Sequence, residues 1–97
     1  MIKYKKIKAG KGIVEALVMD LAKKRLIVLR GRRGYVMCGY LNLKVAQRFN
    51  EAAVKITGVS SIREALKARV SASTSGARKM GIYPGQPIKE TLKLIAR

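Results

Sequence analysis

Alternation of apolar and polar residues marks the first forty positions as β-structure. Residues 2–8, "IKYKKIK", place Ile and Tyr among lysines, which predicts an edge strand because lysine there discourages pairing with another chain. Residues 13–21 and 25–31 are mostly apolar in both alternating sets, which predicts central strands. Residues 35–40 return as a fourth strand after the loop "GRRG", whose glycines can take positive φ at low cost. The pattern therefore predicts an antiparallel meander of about four strands.

Helical spacing replaces this alternation at Asn42, a residue type that caps helix starts well. Apolar residues then recur every three or four positions, at Leu43, Ala46, Phe49, Ala53 and Ile56. This spacing predicts one amphipathic helix that ends before Gly58.

Three further segments follow that helix. Ser61 and Glu64 have the spacing of a capping box and predict a short second helix. Residues 70–81, "VSASTSGARKMG", are compatible either with a third helix that closes at Gly81 or with a partial loop. Pro87 predicts the first turn of a last helix, whose apolar face carries Ile88, Leu92 and Ile95.

Strands followed by helices predict an α+β fold, with three to four helices packed on one face of the sheet. The 97 residues are 48% hydrophobic, so we expect a single domain over residues 1–97 with one modest core. Glu15 and Asp20 interrupt the apolar segment nearest the start, which argues against both a membrane span and a signal peptide. We therefore expect a cytoplasmic protein without a membrane partner.

Charge changes the picture most. The chain has 22 Lys and Arg against 5 Asp and Glu, a formal net charge of +17. Thermophile surfaces raise Glu together with Lys and Arg, whereas here the acids are scarce. Uncompensated cations repel one another, and binding to a polyanion relieves that cost. Nucleic acid is the partner this balance favours; a solvated, functionally neutral basic surface and an anionic membrane surface are the alternatives.

The stretch "GYVMCGYLN" at residues 34–42 resembles the central motif of a family of small archaeal and bacterial proteins, domain of unknown function 1805. The resemblance extends from Gly34 to Ala96 through "GVSSIREAL", the pair Gly81–Ile82 and the closing "KETLKL". It implies a small α+β domain, a sheet followed by helices, and no activity to carry over. Arg32 and Arg33 lie outside the shared motif, so the basic loop is expected to be a property of this chain.

Catalytic and metal chemistry find little support. The chain has one cysteine and no histidine, so we expect no metal and no cofactor. Cys38 lacks an imidazole to lower its pKa and is interpreted as a small core residue rather than a nucleophile. No paired carboxylates or Ser–His–Asp arrangement is present, which leans against an enzyme without deciding the question.

Basic residues concentrated in the first third are the candidate RNA contacts, together with a pair late in the chain. The predicted RNA-binding residues are Lys3, Lys5, Lys6, Lys8, Lys23, Lys24, Arg25, Arg30, Arg32, Arg33, Arg78 and Lys79. In a meander, turns and an edge strand lie at the rims of the sheet and can follow a phosphate backbone. Tyr4, Tyr35, Tyr40 and Tyr83 are expected to be structural rather than base-stacking.

These observations predict a basic RNA-binding protein that contacts the phosphate backbone, an accessory component of the ribosome with ribosomal RNA and ribosomal proteins as partners. The ribosomal assignment rests on composition alone, because many ribosomal proteins are small, lysine-rich and poor in acids. The alternative is a self-associating protein, a homodimer for example, that binds a small ligand or depends on Cys38 as a thiol. The sequence does not distinguish RNA from DNA.

Overall fold

One mixed sheet with helices on both faces forms the protein in a computed structural model that describes residues 2–39 and 42–96. The strands are β1 (Ile2–Ala9), β2 (Gly12–Asp20), β3 (Arg25–Arg30), β4 (Tyr35–Met37), β5 (Ala53–Lys55) and β6 (Ala72–Ser73). The helices are α1 (Leu43–Arg48), α2 (Ile62–Lys67), α3 (Ser75–Lys79) and α4 (Ile88–Ile95). The six strands lie in the order β1-β2-β3-β4-β5-β6. The predicted α+β class is confirmed.

The first four strands pair antiparallel with their sequence neighbours, and β1 is the edge. The register sets Ile2 opposite Met19 and Ala9 opposite Gly12. The prediction of a four-stranded sheet is wrong in extent, because β5 adds parallel to β4 and β6 adds antiparallel to β5. The fourth strand is also shorter than predicted; Tyr40, its predicted end, and Leu41 lie outside the described residues.

The single helix predicted from Leu43 to the residue before Gly58 is wrong in its second half. Asn42 caps α1 as expected, its side chain accepting from the N–H groups of Lys44 and Val45. The helix stops at Arg48 because Asn50 takes the left-handed conformation, with φ 59°. The Glu51 N–H then donates to the Ala46 carbonyl at 3.0 Å, the Schellman pattern that ends a helix. Residues 53–55, predicted to be helical, instead form the strand β5 within the sheet.

The prediction that all helices pack on one face is also wrong. Alternate residues of a strand point to opposite faces, and Val36 and Val54 belong to the main core with Ala65, Ala77 and Ile95 from α2, α3 and α4. α1 lies on the other face, where Ala46 and Leu43 pack with Tyr35, Met37 and Ala53. A parallel β4–β5 pair needs a crossover, and α1 is that crossover.

The remaining helices begin close to their predicted starts. Ser61 caps α2 by accepting from the Glu64 N–H at 3.1 Å, while the Glu64 carboxylate accepts from the Ser60 N–H at 2.9 Å, one residue before the expected partner. Residues 70–81, for which the sequence left a helix and a partial loop open, contain β6 and the short α3 and end at Gly81 with φ 91°. Pro87 precedes α4 as its N-cap.

α4 lies across the sheet with Ile88, Leu92 and Ile95 buried. Burying each of these side chains contributes about 1.5–3 kcal/mol. The C-terminal end of the helix rests on two glycines: a Cβ on Gly12 would lie 2.1 Å from the Ala96 carbonyl oxygen, and one on Gly31 would lie 2.4 Å from the Ile95 carbonyl oxygen. Any larger residue at either position would displace the helix.

We expect Gly31→Ala to destabilise the protein by about 1–3 kcal/mol, because the added methyl group overlaps backbone that cannot move without shifting α4. Urea unfolding followed by circular dichroism measures the loss. Gly39→Ala is the matched control, since no atom lies within 4 Å of its added Cβ, and its free energy of unfolding should change by less than ~0.5 kcal/mol. Equal stability of the two variants would contradict the packing role of Gly31.

Candidate nucleic-acid interface

The meander places the predicted basic residues at opposite ends of the sheet. The β1–β2 turn and the β3–β4 turn lie at one end, and the β2–β3 turn lies at the other, because the first four strands run antiparallel. We call residues 31–34 the arginine turn and residues 21–24 the lysine turn. Lys8, Arg30, Arg32 and Arg33 belong to the end with the arginine turn. Lys3, Lys23, Lys24 and Arg25 belong to the end with the lysine turn.

The arginine turn is fixed by backbone contacts. The Gly31 N–H donates to the Gly34 carbonyl at 2.8 Å, and the Arg33 N–H donates to the Ile95 carbonyl at 2.8 Å. Gly34 also approaches Ala52 closely, since an added Cβ would lie 2.5 Å from the Ala52 carbonyl oxygen. Neither glycine has positive φ. The prediction that these glycines serve the turn through positive φ is therefore wrong, and they are needed for close packing instead.

Arg32 and Arg33 project from this anchored turn with exposed side chains. In the part of the chain that the structure describes, no carboxylate forms an ion pair with either. Arg32 lines a cleft of about 660 Å³ with Lys6, Ile13 and Arg30. The two guanidinium groups are therefore exposed to solvent.

Arg30 is engaged within the protein. Its Nε and Nη2 donate to the Glu15 carboxylate at 3.1 and 2.5 Å, and the Tyr4 hydroxyl donates to the same carboxylate at 2.6 Å. These bonds lower the pKa of Glu15, the Tyr4 hydroxyl more than Arg30. The hydrogen bond between Tyr4 and Glu15 raises the pKa of Tyr4, and the hydrogen bonds from Arg30 to Glu15 raise the pKa of Arg30. The sequence did not indicate this network, which joins β1, β2 and β3. Its signal is the strand register, in which Glu15 lies opposite Arg30.

The lysine turn is closed by the Leu21 N–H, which donates to the Lys24 carbonyl at 2.8 Å. Arg25 beside it is held by Asp20 at 2.9 Å and by the Ser60 carbonyl at 3.1 Å. Its side chain borders a cleft of about 610 Å³ that Lys3 and Lys5 also line. Lys3, Lys5, Lys23, Lys24 and Arg25 thus form a second basic group.

Of the other predicted residues, Lys6 and Lys8 lie towards the arginine turn, whereas Arg78 and Lys79 lie at the far edge of the sheet. Lys6 shares the sheet face of Glu15, its cross-strand partner, and Lys8 follows two residues later on the same face. Arg78 and Lys79 are exposed on α3, beside β5 and β6. Five strand spacings of about 4.8 Å put that edge roughly 24 Å from β1. This distance separates Arg78 and Lys79 from the predicted residues on β1.

Two hydroxyl groups that precede Arg78 in the sequence, those of Ser73 and Thr74, are hydrogen-bonded within the protein. The buried Thr74 hydroxyl donates to the Glu51 carbonyl at 2.7 Å and accepts from the Ala53 N–H at 3.0 Å. The Ser73 hydroxyl donates to the Ile82 carbonyl at 3.1 Å. The segment of small residues around Ser73 and Thr74 therefore packs within the protein.

Cys38 is buried, which confirms its interpretation as a core residue. Its Sγ accepts from the Ile27 N–H at 3.4 Å and lies 3.6 Å from the Arg25 carbonyl. The residue borders a cleft of about 460 Å³ that Lys23 and Lys24 also line. Among the described residues, no three His, Cys, Asp or Glu side chains come together as a metal site. No described helix is long and apolar enough to cross a membrane.

The sequence model of a family described as Domain of unknown function (DUF1805) matches residues 37–95. The chain belongs to this family. The arginine turn and the lysine turn precede the residues that match the DUF1805 model. The chain is also similar to a crystal structure of a protein of unknown function, TA1206, from Thermoplasma acidophilum. The two share 29% sequence identity with a TM-score of 0.94, over 98% of this chain and 93% of that one. Among curated proteins, none matches the sequence.

Cys38 should be inert toward alkylation in the folded protein, because its thiol is buried. Cys38→Ala should cost about 1 kcal/mol of stability through a small cavity, and RNA binding should survive. Iodoacetamide labelling followed by mass spectrometry, with and without urea, measures the first point. Rapid labelling without urea, together with loss of a measured activity in the variant, would reverse this interpretation.

Tyr35 should titrate late. Burial and the hydrogen bond from its hydroxyl to Glu51, 2.8 Å long, raise its pKa to about 12. Since a tyrosine in the unfolded state ionises at its ordinary pKa of 10.0, this residue's contribution to stability is complete below pH 10 and declines as the pH rises toward 12. Absorbance at 295 nm should show a late phenolate transition that Tyr35→Phe removes. A titration unchanged by that substitution would contradict the assignment.

Proposed function

We propose that this DUF1805 protein binds RNA through phosphate contacts and overall shape, as an accessory ribosome-associated component in the cytoplasm. The observation that carries the proposal is the arginine turn. Two adjacent arginines are exposed there and form no ion pair with any residue in the ranges 2–39 and 42–96, on a loop whose backbone is bonded to the end of α4.

The disposition of the acids supports this proposal. Three of the five, Asp20, Glu15 and Glu90, pair with Arg25, Arg30 and Lys93. The other two, Glu51 and Glu64, accept hydrogen bonds from Tyr35 and Ser60. Most of the described Lys and Arg side chains are therefore exposed without a carboxylate partner among the described residues, and a polyanion is the partner that lowers their mutual repulsion.

Rigid presentation of arginine favours phosphate as the ligand. A guanidinium group offers a planar fork of donors that matches two phosphate oxygens. Because the Arg33 N–H is bonded to the Ile95 carbonyl, the turn loses little backbone freedom on binding. Contacts of this kind position a protein on RNA without selecting a base.

We expect RNA affinity to fall steeply with salt. If about six phosphates are neutralised, the log–log slope of the association constant against salt should be on the order of −4 to −5. Fluorescence anisotropy with unrelated single-stranded and duplex RNAs, at salt concentrations of about 50 to 300 mM KCl, measures this slope. A flat salt response would remove the argument for a polyanion and leave a solvated basic surface.

Replacing Arg32 and Arg33 together with Ser should reduce RNA affinity across unrelated sequences alike. The salt slope should shrink by roughly two, about one for each lost phosphate contact. Folding stability should change by less than ~0.5 kcal/mol, because both side chains are exposed.

The control for the arginine turn removes two exposed cations elsewhere. Lys44→Gln with Arg48→Gln on α1 lowers the net charge equally, and it should change the slope by less than one. If the arginine variant binds like the parent with an unchanged slope, the turn is only solvated, and the contact surface lies at the amino-terminal lysines.

Ribosome association is tested separately from RNA affinity. Native lysate is sedimented at low and high salt, and the protein is followed by immunoblot in the ribosomal fractions. We expect co-sedimentation at low salt and release at high salt. Absence from ribosomal fractions at low salt, with RNA affinity retained in vitro, would restrict the proposal to another RNA.

A further inference from the structure

One face of the sheet is left open by the helices. The strand register and the alternation of side chains define this open face. Its members are Ile2, Tyr4, Lys6 and Lys8 from β1, Ile13, Glu15, Leu17 and Met19 from β2, and Leu26, Val28 and Arg30 from β3. Ile2, Tyr4 and Ile13 keep 65%, 54% and 56% of their surface exposed. The apolar members of β1 and the start of β2 are therefore exposed to solvent, whereas those of the central strands are half-buried.

Helix α1 forms a wall along one side of the open face. It packs over Tyr35 and Met37 of β4 and Ala53 of β5. Gln47 faces the β6 side, where it makes two hydrogen bonds with Ser75, of 2.6 and 2.8 Å. Phe49 lies about 160° around the helix from Gln47, so it faces the open strands.

Phe49 is 69% exposed, and Val45, one turn before it, is 43% exposed. The wall is thus apolar like the floor. Ile2, Tyr4 and Ile13 on the floor and Val45 and Phe49 on the wall are thus all large apolar side chains exposed to solvent. Single exposed apolar residues are common, whereas several on one face of a sheet and on the helix beside it are typical of an interaction site.

Charge on the open face differs from charge on the rest of the molecule. The protein carries +17, but Arg30 on this face is neutralised by Glu15. Lys6 and Lys8 remain, both on the edge strand β1. The centre of the face offers a polyanion a paired carboxylate and aliphatic side chains, so an apolar protein surface complements it better than RNA does.

We propose that the open face binds a second copy of this chain, sheet against sheet, in a two-fold dimer. Stacked sheets lie about 10 Å apart, which is the height that α1 already occupies above the sheet as a packed helix. A two-fold axis across the strands would set α1 against α1 of the other copy. An axis along the strands sets each α1 beside the partner's β1 instead.

This second arrangement is self-complementary. Phe49 and Val45 of one copy reach the β1 edge of the other, where Ile2 and Tyr4 are exposed. The β1 strands, which carry Lys6, fall on opposite sides of the dimer, so their repulsion is small. The α1 wall also flanks the unpaired edge of β1, which limits further strand addition. The arginine turns remain at the rim, so the interface does not depend on RNA binding.

The test is the molar mass of nuclease-treated protein in high salt, by sedimentation equilibrium over a concentration series. We expect a dimer of twice the 10.7 kDa chain. Ile13→Ser with Phe49→Ser should weaken dimerisation by at least ~100-fold. Because both side chains are exposed in the single chain, the variant should remain folded by circular dichroism.

Tyr83→Ser is the matched control, since Tyr83 is 50% exposed and lies outside the open face; it should leave the dimer intact. A parent protein that stays monomeric at ~100 µM, far above the dissociation constants of standard interfaces, overturns the proposal. So does a double variant that remains dimeric. If the double variant loses RNA affinity while the parent is monomeric, the open face is an RNA surface and the dimer is excluded. Failure to bind RNA, with a dimer present, contradicts only the proposed function.

Discussion

The C-terminal end of α4 packs against two glycines, one in β2 and one in the arginine turn. This contact joins the last helix to the N-terminal strands. Gly12 and Gly31 let helix carbonyls approach the sheet to distances that any Cβ would forbid. The Ile95 carbonyl, otherwise unpaired at the helix end, accepts from the Arg33 N–H. The same contact therefore satisfies the helix terminus, closes the core and fixes the loop that carries the exposed arginines.

Two surfaces of opposite character result from this arrangement. Burying α2, α3 and α4 on one face of the sheet satisfies that face and leaves the other to α1 alone, which is too short to cover six strands. The cations of the arginine turn, the lysine turn and the edge strand β1 lie where their side chains stay hydrated, which burial in the core would prevent. A basic rim and a partly apolar open face thus both follow from the packing of three helices on the same face of the sheet.

The candidate site was predictable in composition but only partly in geometry. Arg32 and Arg33 flanked by glycines indicated an exposed turn, and the structure has one there. The reason for the glycines differed, since close approach to α4 and to Ala52 involves residues far away in sequence. Arg30 and Arg25 could not be recognised as paired, because Glu15 and Asp20 meet them only across strands. Lys79 looked equivalent to the early lysines, yet strand order put it at the far edge.

By itself the sequence determined the elements whose signals are local: the alternating strands β1–β3, the caps at Asn42 and Ser61, and the amphipathic face of α4. Its charge balance is also a property of composition that no fold can change. Only the tertiary structure decided that residues 53–55 are a strand rather than a helix, because their apolar spacing fits both, and pairing with β4 and β6 stabilises the extended form. The tertiary structure likewise decided which face of the sheet stays open, because a strand that is apolar on both faces does not indicate which face the helices will cover.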